Sequence, residues 1–148
     1  MINSIYIEKM TSCDISNVKE LESSQNINIL SENTIKTDLK DDNYMYFIAK
    51  LNEEIVGYIA ISKIFDTIDI LSIVVKKEYQ KQGIATKLLQ FIFTLENTSK
   101  IMLEVRKSNI PAQMLYEKLE FKKIHIRKNY YSNPCEDAYI YEKIINNN

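Results

Sequence analysis

Apolar and polar residues alternate through "SIYIEKM" near the start of the chain, the period of a half-buried strand. "TSCDISNVKELESS" then supplies cap-forming residues followed by Ile15, Val18 and Leu21 at helical spacing, so a helix is expected there. A shorter helix is expected from about Ser31 to Leu39. "YMYFIAKL" and "EIVGYIAISKIF", separated by the polar "NEE", have the pattern of an antiparallel hairpin, and "TIDILSIVV" extends the sheet. The period changes after that. Ile84, Leu88, Phe91, Ile92 and Leu95 share one helical face, with Lys87, Gln90 and Thr94 on the other. "KIMLEVR" returns to a strand, and "NIPAQMLYEKL" predicts a helix capped by Asn109 with Pro111 in its permissive first turn. Two last strands are expected over about Phe121 to Tyr130 and Asp137 to Ile144. This order predicts an α/β fold with a mixed, mostly antiparallel central sheet flanked by helices.

No repeat, low-complexity tract or Pro/Gly/Ser linker precedes the polar "NNN" end, so residues 1–148 are expected to form a single domain. No apolar run approaches the roughly 20 residues that cross a bilayer. The first residues lack the basic start, apolar stretch and cleavage site of a signal peptide, and the expectation is a cytoplasmic protein with no membrane partner. A net charge of -1 argues against direct nucleic-acid binding through a broad basic surface. Cys13 and Cys135 have neither metal-ligand nor redox spacing, so two reduced thiols and no metal are expected.

Local charge carries more information than the total. Lys76, Lys77, Lys81 and Lys87 surround Gly83, with Glu78 as the one acid among them, and this suits a small phosphorylated ligand. Gly83 is one of only two glycines in the chain and stands where a loop enters an apolar helix. A helix N-terminus offers unpaired N–H groups and the positive end of a dipole. A residue without Cβ would let a diphosphate approach that backbone, although a tight strand-to-helix turn explains a lone glycine equally well.

Three segments carry a resemblance. "QKQGIA" after "ILSIVV" matches the pattern Gln/Arg-x-x-Gly-x-Gly/Ala of the pyrophosphate loop in the GCN5-related N-acetyltransferase (GNAT) superfamily. "MLEVRKSNIPAQMLYEKLEF" and "RKNYYSNPCEDAYIY" resemble segments of the RimI-type branch, ribosomal-protein-alanine N-acetyltransferases. The resemblance spans essentially the whole chain. It implies a sheet whose two central strands splay apart to admit acetyl-CoA. Ile73, Val74 and Val75 would offer backbone groups to the pantetheine arm, Lys81, Gln82, Gly83, Ile84, Ala85 and Thr86 would cradle the pyrophosphate, and Asn109 would contact the cofactor.

Two side chains could move protons. In "KIMLEVR", Glu104 shares a strand face with Met102 and Arg106, and a carboxylate in mid-strand is costly to bury unless it is paired or used. From the residues alone, an ion pair with Arg106 competes with catalysis. The resemblance implies that Glu104 is the general base. Tyr116 lies one turn after Ala112 and beside Leu115 and Leu119, as a core tyrosine would. The resemblance implies instead that it is the acid that serves the departing thiolate. Tyr130, Tyr131, Glu136 and Asp137 are expected to form the lip of the acceptor site, though spacing alone equally describes a polar hairpin loop. Cys135 and His125 have nothing to position them as a catalytic dyad.

The implied activity is transfer of acetyl from acetyl-CoA to a protein N-terminal α-amine, with the N-terminal alanine of a small-subunit ribosomal protein as the implied acceptor. Lysine side chains, a small polyamine and a non-catalytic acyl-CoA sensor are the alternatives; oligomeric state has no signal in the chain. The sequence departs from the family pattern at Glu120, where glycine usually ends the helix. Gly57 is expected to mark a bulge or a close backbone approach on the strand facing the acceptor.

Overall fold

The computed structural model describes residues 4–25, 27 and 29–145. The polar "NNN" end lies outside them. One seven-stranded sheet, in the order β1-β2-β3-β4-β5-β7-β6, organises the molecule. Its strands are β1 (Tyr6–Lys9), β2 (Tyr44–Leu51), β3 (Glu54–Ile64), β4 (Thr67–Val75), β5 (Lys100–Arg106), β6 (Lys122–Tyr131) and β7 (Glu136–Ile144). Every neighbouring pair is antiparallel except β4 and β5. The helices are α1 (Ile15–Ser23), α2 (Glu32–Asp38), α3 (Ile84–Phe93) and α4 (Ile110–Lys118).

The α/β arrangement with a mostly antiparallel sheet is therefore as the periodicities indicate, with small differences at the ends. The first helix opens as a 3-10 turn over Ser12–Asp14, where the Thr11 backbone N–H donates to Asp14 Oδ2 at 2.9 Å. Ser31 caps α2, its Oγ accepting from Thr34 N–H at 3.1 Å. The β2–β3 connection narrows to Asn52 and Glu53, both with positive φ (50° and 69°), which gives a hairpin turn whose twist matches that of its strands.

Two apolar clusters hold the layers on opposite faces of the sheet. Ile84, Leu88, Leu89 and Ile92 of α3 pack with Val56, Ile59, Ile61, Ile101 and Leu103, and Tyr116 and Phe121 join the same cluster. Ile15, Val18 and Leu21 of α1 and Ile35 of α2 pack with Tyr46, Ile48, Tyr58, Ala60 and Val74. The second cluster contains buried carboxylates. The Tyr46 hydroxyl donates to Asp38 Oδ2 at 2.7 Å, and Tyr58 donates to Glu22, which also pairs with Lys19 at 2.6 Å. These bonds tie α1 and α2 to the sheet and satisfy acids that burial would otherwise penalise.

Gly57 has a packing reason for lacking a side chain. A Cβ there would meet Val74 O at 3.0 Å, Ile84 Cγ2 at 3.4 Å and Leu88 Cδ1 at 3.5 Å. The β2–β3 register also slips next to it, since Ala49 opposes Gly57 and Lys50 opposes Ile55. Bulge and close approach thus coincide, but the crowded side is occupied by α3.

Candidate active site

Strands β4 and β5 are paired only at Thr67–Lys100, Ile68–Ile101 and Asp69–Met102. Beyond these pairs they part, as the resemblance implied. The opening on one side is a cleft of about 640 Å³ bordered by Asp69, Met102, Glu104, Arg127, Tyr130 and Tyr131. It adjoins a space of about 210 Å³ bordered by Ile73, Glu104, Asn109, Ala112, Tyr116 and Tyr131. Glu104 and Tyr131 border both, so the splay brings together residues from β4, β5, α4 and β6.

Along β4 the backbone divides its hydrogen bonds by parity. The Lys76 N–H donates to Val56 O at 2.7 Å, and residues alternate in an antiparallel pair, so the backbone groups of Val74 face β3 while those of Ile73 and Val75 face the gap. Val74 is thus spent on the sheet. The Val75 carbonyl already accepts from Gln25 Nε2 at 2.9 Å and Gln80 Nε2 at 3.0 Å. A register slip at Leu71 adds a bulge to the strand where it borders the cleft.

Gly83 caps α3 with φ 87° and ψ 8°, a left-handed conformation that disfavours other residues. Apart from its own chain neighbours, no atom lies within 4 Å of the position its Cβ would take, so its backbone is open to a ligand. Its carbonyl accepts from Lys87 N–H at 3.0 Å, which leaves the N–H groups of Ile84, Ala85 and Thr86 as first-turn donors. Lys81 also has positive φ, 63°, and Lys81 and Gln82 are exposed. Not all the nearby positive charge is available: Lys76 is paired with Glu54 of β3 and lies 3.7 Å from Glu78. Loop and helix end still form a polar cradle suited to a diphosphate.

Glu104 is not buried; about a third of its side chain (34%) is exposed. Arg127 Nη1 of β6 lies 3.6 Å from Glu104 Oε1. The ion pair with Arg106 considered from sequence does not form, because Arg106 Nη1 lies 3.2 Å from Glu136 Oε2 and its guanidinium stacks 4.3 Å over the Tyr131 ring. Tyr116 is 6% exposed, against Phe121 (5.6 Å between centroids) and Tyr141 (6.1 Å). Burial pushes its hydroxyl up to about 12, with a smaller contribution from Tyr131. The ring is therefore a core ring, and the same residue borders the cleft beside Asn109.

Asn109 caps α4 by accepting from Ala112 N–H through Oδ1 at 3.2 Å, which leaves its amide N–H groups for other partners. Gln113 holds the preceding turn by donating to Arg106 O at 3.2 Å and Lys107 O at 2.8 Å. Tyr130 and Tyr131 border the cleft, with rings 5.0 Å apart in an edge arrangement. Hydrogen bonding to Glu104 raises the pKa of Tyr130, and loss of hydration raises that of Tyr131. Glu136 and Asp137 lie outside the cleft lining. Glu136 accepts from Ser108 N–H and holds Arg106, and Asp137 Oδ1 accepts from Asn129 N–H at 2.9 Å. Two further cleft residues are not among the candidates from sequence: Arg127 opens the segment "RKNYYSNPCEDAYIY" but carries no assigned role there, and Asp69 has no signal, since their placement around Glu104 depends on strand order.

The sequence profile described as Acetyltransferase (GNAT) family matches residues 11–121. An N-alpha-acetyltransferase of Saccharolobus solfataricus is 40% identical over 118 residues, covering 69% of this chain and 70% of the relative. A ribosomal protein bS18-alanine N-acetyltransferase of Haemophilus influenzae is 31% identical over 131 residues, covering 86% and 88%. Among solved structures, the ribosomal-protein-S18-alanine N-acetyltransferase from Escherichia coli is similar at a TM-score of 0.88 and 27% identity, covering 98% of this chain and 96% of that one.

Proposed function

The chain belongs to the GNAT acetyltransferase family, and from that premise we propose that it acetylates a protein N-terminal α-amine, with the alanine terminus of a small-subunit ribosomal protein as its acceptor. The observation that carries the reading is that Glu104 and Tyr116, from β5 and α4, border one cleft between the splayed strands. Acetyl-CoA, when bound, supplies the acetyl group as a thioester. The open backbone at Gly83, the first-turn N–H groups of α3 and the gap-facing backbone of Ile73 fit its diphosphate and pantetheine arm. The names of the bacterial and archaeal relatives support the acceptor class.

The chemistry asks little of the base. An α-amine with pKa near 8 is about one quarter neutral at pH 7.5, whereas a lysine amine near 10.4 is only about 0.1% neutral. Glu104 takes the proton that the amine loses as its nitrogen bonds to the acetyl carbon. Tyr116 remains protonated throughout the neutral range, its hydroxyl lying at about 12. A free thiol has a pKa of about 8.5, so full proton transfer from this phenol to sulfur is uphill by roughly 3.5 pH units. Tyr116 therefore acts first as a hydrogen-bond donor to the departing sulfur, which leaves as the thiolate of coenzyme A and takes its proton from solvent, while Glu104 returns the amine's proton to solvent. No covalent bond to the protein is needed; the rate gain comes from alignment of amine and thioester and from N–H donors around the β4 bulge.

The test is intact-mass analysis of a free alanine-initiated peptide and an N-blocked, lysine-containing peptide incubated with the protein and acetyl-CoA. Acetylation of the free α-amine alone is expected. Modification of the lysine alone would refute the acceptor. Glu104→Gln and Tyr116→Phe should each lose turnover while still binding acetyl-CoA, and unchanged rates in both would remove them from the mechanism.

A further inference from the structure

Among the described residues the Asp69 side chain makes no hydrogen bond, and it takes no part in the chemistry described above. It opposes Ser62 on β3 and Met102 on β5. Side chains directly opposite one another on adjacent strands share a sheet face, and Glu104 lies two residues beyond Met102, on that same face. A strand spacing of about 4.8 Å and a two-residue advance of about 6.6 Å put the α-carbons of Asp69 and Glu104 about 8 Å apart before divergence widens the gap. Both carboxylates border the larger cleft.

The cations facing this pair are few. Arg127 reaches Glu104, and Lys100 acts on Asp69 from the neighbouring strand. Among the described residues no basic group lies within 4 Å of the Asp69 carboxylate. Its pKa is raised by loss of hydration first and by the charge of Glu104 second, with Lys100 opposing. A carboxylate that shares a cleft with another carboxylate is relieved by a cation placed between them. An ammonium has three N–H donors and can bond to both.

We propose that Asp69 is a second carboxylate of the acceptor site, which with Glu104 holds the incoming ammonium group before transfer and so selects unblocked, cationic amines. This rests on the acetyltransferase reading of the cleft. Asp69 is a specificity residue in this arrangement: it binds the acceptor in its protonated form, and Glu104 receives the proton when the amine becomes reactive.

Steady-state kinetics of wild-type, Asp69→Asn and Asp69→Glu proteins with the alanine-initiated peptide test the proposal. Asp69→Asn should raise the peptide KM about tenfold, far more than it lowers kcat, as loss of one charge-assisted bond implies. The KM for acetyl-CoA should stay unchanged, and Asp69→Glu should recover most of the effect. A second reading uses inhibition by an N-terminally dimethylated peptide, which keeps its positive charge, and by the N-acetyl peptide, which has none. The wild-type preference for the cation should shrink about tenfold in Asp69→Asn. An unchanged peptide KM, or an equal rise in both KM values, would overturn the role of Asp69 alone. Wild-type protein that acetylates lysine side chains but no free N-terminus would instead overturn the acceptor assigned above.

Discussion

Replacing Glu120 with glycine should stabilise the protein, and the reason lies in how α4 ends. Glu120 has φ 68°. Its N–H donates to Glu117 O at 3.0 Å, and the N–H of Phe121 reaches back to Tyr116 O at 2.9 Å. This is a Schellman ending with a glutamate at the position that favours glycine, and the Tyr116–Phe121 ring contact supplies its apolar clasp. An L-residue in the left-handed region is strained by about 1–2 kcal/mol. Glycine removes that strain but adds freedom to the unfolded chain, which takes back roughly 0.4–1 kcal/mol. The net gain is about 0.5–1 kcal/mol. With an unfolding entropy of about 0.3 kcal/mol/K for 148 residues, Tm should rise by about 2–3 °C. Glu120 is exposed and makes no ion pair among the described residues, so Glu120→Ala serves as a control that retains the strain. Calorimetric melts of the three proteins decide the matter. A rise as large for alanine as for glycine would trace the gain to charge removal, and a fall for glycine would refute the strain argument outright.

Gly83→Ala meets no atom within 4 Å but must keep φ near 87°, so it should cost about 1 kcal/mol of stability and weaken acetyl-CoA about tenfold, read by melts and by calorimetric titration; unchanged affinity would detach the loop from the cofactor. Alkaline stability should show the buried phenols. Tyr116 and Tyr141 are pushed up to about 12 by burial, and Tyr46 and Tyr58 are also raised by burial and by their carboxylate partners. A raised folded-state pKa gives stability that is fully present below the unfolded value of about 10 and is lost as pH climbs from there through the folded values. Urea midpoints should therefore hold steady up to about pH 9 and fall by about pH 11, and a flat response across that interval would contradict the burial of these hydroxyls.

The sheet and helices were legible because each element has a clean period, as in "TIDILSIVV" and the apolar face from Ile84 to Leu95. The candidate site was legible most directly where neighbours in sequence are neighbours in space, as at Gly83 and along the "NIPAQMLYEKL" helix, whereas Glu104, Tyr130 and Tyr131 were reached through the resemblance. Polar positions in a strand pattern all look alike. Asp69 reads as an ordinary solvent-facing residue until the parallel pairing with Met102 places it beside Glu104. The same limit hid the exchange of partners by which Arg127, not Arg106, reaches Glu104, and by which Glu136 of β7 takes Arg106. Lysine counting near Gly83 overstated the free charge because Glu54, a hairpin residue far upstream, takes up Lys76.

Three residue pairs are all that join β4 to β5 in hydrogen bonding. In that respect the sheet is two smaller sheets riveted at one end, with a shared apolar core of strand and helix side chains spanning the seam. A pantetheine arm lying in the notch would supply rungs that the ladder lacks, so the cosubstrate would serve for part of each cycle as a piece of the architecture. Loading would then toughen the molecule and product departure would loosen it, with the opening and closing of the seam written into every turnover.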